Sequence, residues 1–272
     1  MTIERRDVDL DFDPASVPRD WCRGDAYETT FMNALSLLFP DGERFFVEAV
    51  KQHRHLVASP ELLADVVGFI GQEAMHGKEH RAFNQLIATQ FPQAPRLEKR
   101  VRAFLLGVRR VLSPRSQLAV TCALEHFTAM LAEGLLSDER LRGGIDPQVL
   151  PLWMWHALEE SEHKAVAFDV YRAAGGGYAR RAALMAVTTV IFLAVHAIVH
   201  ARLMATRGIL ARPWRWARPL ARLWIYPGHF GRLVPAYLAY FAPRFHPDDR
   251  DTRALVDAWR ERLFGAHGQL AA

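Results

Sequence analysis

The 272-residue sequence predicts an all-α protein, a four-helix bundle with additional C-terminal helices. Three observations lead there. Apolar residues recur every three or four positions, the spacing of an amphipathic helix, and no run alternates in the manner of a strand. Capping residues followed by proline stand at three well-separated points: Ser59-Pro60, Ser113-Pro114 and Asp146-Pro147. Half of the residues are apolar, enough at this length to bury a substantial core.

The first helix is expected over 27–57, with Pro40 marking a kink or a later start at Pro40-Asp41. The second is expected over 60–90, since proline suits a first helical position, where its missing N–H would have gone unpaired. A shorter helical stretch follows at 96–112. The third and fourth main helices are expected over 114–141 and 147–173, the last ending at Gly175-Gly176-Gly177. Two helical hairpins joined by a long connection describe the ferritin-like form of the bundle. The chain thus divides into a bundle, 1–177, and a basic, aromatic-rich helical extension, 178–272, packed on the bundle or against a membrane.

Charge follows the same division. Positions 1–169 carry 19 basic and 25 acidic residues, whereas positions 170–247 carry eleven arginines and no acid. Such segregation implies a separate task for each zone. The first 14 residues are highly charged and lack the apolar segment of a secretory signal. Cys22 and Cys122 cannot build a disulfide framework, so a reducing cytoplasm is the expected compartment.

The chemistry lies on the core faces of the four main helices. On the second, the apolar stripe reads Leu62, Val66, Phe69, Glu73, His76, His80, Phe83, Ile87. On the fourth it reads Val149, Leu152, His156, Glu160, His163, Ala167, Val170. The first helix offers Phe39, Glu43, Phe46 and Val50, and the third Leu118, Cys122, Glu125 and Ala129. A buried glutamate is costly unless paired or bound to metal, so four of them at mid-stripe need one shared explanation.

A cation pair supplies it. One Glu from each of two helices plus Glu-x-x-His from each of the other two is the dinuclear carboxylate pattern. Here it reads Glu43, Glu73-Ala74-Met75-His76, Glu125 and Glu160-Ser161-Glu162-His163. The heights agree: Glu43 and Glu73 lie about 15 and 14 residues from their shared hairpin, Glu125 and Glu160 about 19 and 16 from theirs. The competing explanation is a purely structural polar network.

Glu48 falls on the more polar face with Gln52 and His55, so Glu43 is the preferred ligand. Glu159 and Glu162 flank the stripe as solvated or supporting residues, and His126 is rotated off the core line. His80 and His156 lie one turn from the central motifs, either as further ligands or as groups that orient one.

At these residues the chain resembles a bacterial family described as predicted metal-dependent hydrolases, members of the ferritin-like superfamily. The similar segments are Phe39-Pro40-Asp41-Gly42-Glu43-Arg44-Phe45-Phe46, Gln72-Glu73-Ala74-Met75-His76, Leu124-Glu125-His126-Phe127-Thr128-Ala129 and Trp155-His156-Ala157-Leu158-Glu159-Glu160-Ser161-Glu162-His163-Lys164. The ligand pattern is also similar to that of ribonucleotide reductase small subunits and di-iron arylamine N-oxygenases. His156-x-x-x-Glu160-x-x-His163 is similar to the latter, where the extra histidine binds iron. This likeness covers the site alone, and no tyrosine matches the reductase radical site.

In the extension, residues 182–201 carry no charge and are just long enough to span a bilayer. Alanines and the pair His196 and His200 moderate that stretch, so a long helix packed on the bundle is the plainer expectation. The two histidines have no carboxylate nearby in sequence, which favours packing over metal binding. From 207 to 244, arginine interleaves with Trp214, Trp216, Trp224, Tyr226, Phe230, Tyr237 and Tyr240. Such a mix suits an anionic membrane surface, peripheral or integral at the inner membrane. A bundle cap or homodimer contact ranks next, and nucleic acid last, for want of a recognisable module.

The leading expectation is an O2-activating di-iron oxidase or oxygenase acting on a small apolar or lipid-like substrate, with an electron donor the sequence does not name. Its cofactor would be two iron ions, with manganese or zinc as alternatives. The rival is a metal-dependent hydrolase that uses a bridging hydroxide, as the family description implies. A third reading is a non-catalytic metal-binding or membrane-associated protein.

Overall fold

The computed structural model describes residues 3–225 and 228–270, so Tyr226 lies outside the described residues. Asp25 opens α1 (Ala26–His53), its carboxylate accepting from the N–H groups of Tyr27 and Glu28, both at 2.9 Å. The helix runs through Pro40, which excludes a start there, and relaxes into a 3-10 turn at Arg54–Leu56. Ser59 opens α2 (Pro60–Gln90), accepting from Leu62 N–H at 3.2 Å. A helix α3 (Ala94–Val111) leads to α4 (Pro114–Ser137), which Ser113 caps by accepting from Ser116 N–H at 3.3 Å.

The two remaining bundle helices differ from expectation. The third was expected to reach 141 but ends at Ser137, because Asp138 turns its carboxylate to Arg140 N–H at 3.0 Å and caps a single new turn, α5 (Glu139–Arg142). The fourth is two pieces, α6 (Leu150–His163) and α7 (Val166–Ala173). Residues 147–149 form a turn on the Asp146 carboxylate, which accepts from Gln148 N–H at 3.0 Å. At the internal break, Lys164 (φ −48, ψ −25) and Ala165 (φ −94, ψ −17) stay in the right-handed region. The ladder loosens just after His163 while the chain keeps its course.

The extension forms α8 (Tyr178–Thr206), α9 (Ala217–Trp224), α10 (His229–Ala239) and α11 (Arg253–Phe264). Among the described residues there is no strand, only an isolated bridge between Cys22 and Ile145. The fold is all-α as expected. α1 lies along α2, α4 lies along α6 and α7, and α1 meets α4 while α2 meets α6 and α7, an arrangement compatible with a ferritin-like bundle. α8 packs across α1 and α4 from outside, and α11 rests on α6. His196 and His200 sit in this packing, their Nε2 atoms 3.2 Å and 3.1 Å from the carbonyls of Phe31 and Tyr27.

The core comes in two apolar parts. One contains Phe83, Phe91, Leu136, Leu152 and Trp155; the other contains Phe46, Phe69, Leu118, Ala167 and Val170. The polar stripe residues lie between these parts along the helices. The N-terminal segment crosses α2 at Gly68 and Gly71, where a Cβ would strike the Ile3 carbonyl and meet the Arg5 side chain at 2.9 Å. Gly68→Val is therefore expected to preserve helix content by circular dichroism while speeding tryptic cleavage at Arg5 and Arg6. An unchanged cleavage rate would show that the segment does not depend on this close approach.

Candidate metal centre

The bundle brings seven of the eight expected ligands together. Glu43 of α1, His76 of α2 and His156 of α6 each offer a ligand atom within 4.8 Å of the others. Glu73 of α2, Glu125 of α4, and Glu160 and His163 of α6 form a second such group. All seven are at most 5% exposed.

Two glutamates reach across both groups. Glu160 Oε1 lies 3.0 Å from His156 Nε2 and 3.6 Å from His76 Nδ1, while its Oε2 lies 3.6 Å from His163 Nε2. Glu73 Oε1 is 3.1 Å from His163 Nε2 and 4.0 Å from His76 Nδ1. Glu125 Oε2 stands 3.5 Å from the same His163 nitrogen.

The set fits cations because nearly all of it accepts. Both oxygens of Glu43, Glu73, Glu125 and Glu160 are buried without a hydrogen-bond partner, as are both nitrogens of His76 and Nε2 of His163. Stranded buried acceptors are expensive, and carboxylates have no proton of their own to share. Oxygen and imidazole donors without a thiolate suit iron, manganese or zinc.

In the metal-free chain the same burial shows in the protonation. Burial, reinforced by Glu73 and Glu160, pushes Glu43 and Glu125 well above the ordinary carboxylate range. Burial also raises Glu73, against the opposing pull of the neighbouring His163. It opposes the charge on Glu160 too, but His163 and His156 hold that group well below the ordinary range. Burial and the neighbouring His156 drive His76 well below its usual value.

Partners behind the imidazoles decide which nitrogen faces the cluster. Gln72 Nε2 donates to Glu162 Oε2 at 2.8 Å and to the Glu4 carbonyl at 2.9 Å, so its Oε1 must accept. His163 Nδ1–H donates to that oxygen at 2.9 Å, leaving the Nε2 lone pair facing Glu73, Glu125 and Glu160. His76 presents Nδ1 inward and holds Nε2 3.0 Å from Glu159 Oε2.

A longer chain orients His156. Asn84 Nδ2 donates to the Ser36 carbonyl at 3.1 Å and to Glu98 Oε1 at 2.8 Å, which makes its Oδ1 the acceptor for the Ser36 hydroxyl at 2.7 Å. Ser36 Oγ then accepts from His80 Nδ1–H at 2.8 Å. With His80 neutral, its Nε2 accepts from His156 Nδ1–H at 2.8 Å, and His156 turns a free Nε2 to Glu160. His80 was expected as a ligand or an orienting group. Both its nitrogens are engaged behind His156, and it stays outside both ligand groups.

Other expectations resolve by contact. Glu48 is half-buried and pairs with Arg109 and Arg44, away from the cluster. His126 Nε2 meets the Ala236 carbonyl at 3.0 Å. Glu159 and Glu162 are buried rather than solvated, and both receive Arg6, at 2.9 Å and 2.8 Å. Burial pushes Glu159 up to about 8 despite that arginine. Arg260 of α11 also donates to Glu162, at 2.8 Å. Sequence reasoning missed Arg6, whose only signal was the pair of extra glutamates beside the motif.

Two apolar cavities reach the cluster. One, of about 120 Å³, ends at His156 and Glu160; the other, of about 130 Å³, ends at Glu43. Phe39, Thr128 and Leu131 line both.

A helical bundle that buries an acceptor-rich cluster of carboxylates and imidazoles has the frame of a metal-dependent protein. The chain belongs to the family described as predicted metal-dependent hydrolase, whose model matches residues 4–251. No curated protein matches the sequence, and no solved structure matches it. The likeness to ribonucleotide reductase small subunits and N-oxygenases has no counterpart in these matches and rests on the residue pattern alone.

Calorimetric titration of metal-free protein should show the Glu73→Ala, Glu160→Ala double variant taking up no metal. Arg6→Met should weaken uptake by about 10–100-fold, by freeing Glu162 and with it the Gln72 that orients His163. Affinity should rise with pH, because bound metal displaces the protons that burial holds on Glu43 and Glu125. Unchanged stoichiometry in the double variant would refute the ligand set.

Proposed function

We propose that Glu43, Glu73, His76, Glu125, His156, Glu160 and His163 bind two metal ions and that the centre is catalytic toward an apolar substrate. The observation that carries this reading is the acceptor-rich, unpartnered cluster at the inner ends of two apolar cavities. Membership of the family favours hydrolysis. When bound, two metals supply Lewis acidity for a carbonyl or phosphoryl oxygen and a nucleophilic water at neutral pH. The chain's own part is to hold the ligands, to orient His163 through Gln72 and His156 through His80, and to keep bulk water out.

A second reading, oxidation or oxygenation by a di-iron pair, is favoured by the donor set. Two Glu-x-x-His motifs with one lone glutamate on each of two other helices are typical of di-iron carboxylate bundles. Metal analysis followed by anaerobic reduction and exposure to oxygen separates the two. Two irons per chain with oxygen uptake support the second reading. A redox-silent zinc or manganese pair that cleaves a long-chain ester supports hydrolysis. A protein purified and reconstituted without any bound metal would overturn both.

We further propose that the outward face of the extension rests on an anionic lipid surface. α8 and α4 are each long and apolar enough to cross a membrane, but α4 is a bundle helix carrying Glu125 and α8 packs one face on the bundle. α8 exposes Val187, Val190, Ile191 and Ile198, and the chain that follows exposes Trp214 and the arginines Arg202, Arg212, Arg215 and Arg218. Arginine and tryptophan together suit an anionic headgroup layer. The protein is expected to sediment with phosphatidylglycerol vesicles at low salt and to release as salt rises, with little binding to phosphatidylcholine. Equal or no binding to the two vesicle types would refute the proposal.

A further inference from the structure

The cavity that ends at Glu43 lies among α1, α3, α4 and α8. Apart from Glu43, Thr128 and Thr188, and Gly42, which has no side chain, every residue lining it is apolar. Its inner end is the Glu43 carboxylate, 2% exposed and with both oxygens unpartnered. Its outer end carries Phe104, Val187 and Ile191, which are 41%, 51% and 40% exposed. The lining on α8 extends from Val187 to Val195, a distance of ~12 Å at the helical rise, and that on α4 from Val120 to Leu131, ~16 Å. A volume of about 130 Å³ drawn out over such a length is narrow.

Gly42 adds an independent observation. Glycine within a helix destabilises it relative to alanine. Gly42 has no left-handed φ to excuse it, and no heavy atom lies within 4 Å of where its Cβ would be. Gly42 itself lines the cavity, next to Glu43 in the chain, and the space where its Cβ would stand is open. Neither backbone conformation nor close packing calls for glycine at this position, whereas an open passage does.

We propose that this groove binds the unbranched hydrocarbon chain of an amphiphile, with the polar reacting end at Glu43 and the chain running outward between α3 and α8. The gradient of the lining sets the direction: the unpartnered polar group is inside, and the exposed end is apolar. The role of the polar end rests on the metal-centre reading, but the fit of the chain does not.

The test uses neutral n-alcohols, from hexanol to hexadecanol, displacing a fluorescent alkyl probe from metal-free and from metal-loaded protein. Affinity should rise about fourfold per added methylene and then level once the groove is full. Gly42→Leu should weaken the long alcohols at least tenfold without lowering the thermal midpoint. Met32→Trp, which narrows the other cavity, should leave binding unchanged. If Gly42→Leu fails to fold, Thr188→Phe blocks the same groove from α8. Affinity indifferent to chain length, full binding by the blocked variant, loss of binding in Met32→Trp, or equal competition by a sterol would each overturn the proposal. Chain binding by a protein that takes up no metal would overturn the metal-centre reading and leave the groove standing.

Discussion

Four glutamates and three histidines share one dry layer in the middle of the bundle, and the cost of that layer governs the rest of the structure. Each buried carboxylate without a partner works against folding. The two proposed divalent cations would offset four carboxylates in charge and satisfy the oxygens and nitrogens that no donor reaches. Without them, burial pushes Glu43 and Glu125 well above the ordinary carboxylate range, while His163 and His156 hold Glu160 well below it. The apolar parts above and below hold the helices in register at a layer that contributes little attraction of its own.

The outer partners convert that layer from a set of compatible residues into an oriented one. An imidazole has two nitrogens, and only one can face a cation. Gln72 settles the question for His163, and the relay through His80, Ser36 and Asn84 settles it for His156, while His76 Nε2 stands 3.0 Å from Glu159 Oε2 without a hydrogen bond. Two of these lines converge on Arg6, which touches both Glu159 and Glu162. One arginine from the N-terminal segment thus stands behind His163 through Glu162 and Gln72 and fixes the Glu159 carboxylate beside His76, and Gly68 and Gly71 let that segment approach.

What the sequence made legible follows from how local each signal is. Ser59-Pro60 and Ser113-Pro114 mark helix starts because capping acts within one turn, and both caps form. Glu43 separates from Glu48 because helical faces repeat with a fixed period, and the structure turns Glu48 to Arg109. Arg6 was not legible, since its partners lie 153 and 156 residues away and nothing local points to them. The role of His80 was open because a stripe histidine looks alike whether it faces a cation or another ring. The loosening at Lys164 and Ala165 carries no glycine or proline to announce it.

The charge division deserves a different reading from the one composition suggests. With no acid among residues 170–247, every ion pair made by those arginines must reach another part of the chain. Arg207 meets Asp20 at 2.7 Å, Arg222 meets Glu28, and Arg232 meets Asp138 at 3.4 Å. Arg181 is buried and donates to the carbonyls of Tyr240 and Ala242, tying α8 to the end of α10. These contacts hold the extension against the bundle and the N-terminal segment. Composition therefore overstates the charge offered to a partner. The arginines left at the surface without an ion pair among the described residues include Arg172, Arg180, Arg202, Arg212, Arg215, Arg218 and Arg244. Segregation of charge in the sequence thus serves docking: an arginine of this zone can find a carboxylate only outside it, so each ion pair it makes ties the extension to another part of the chain.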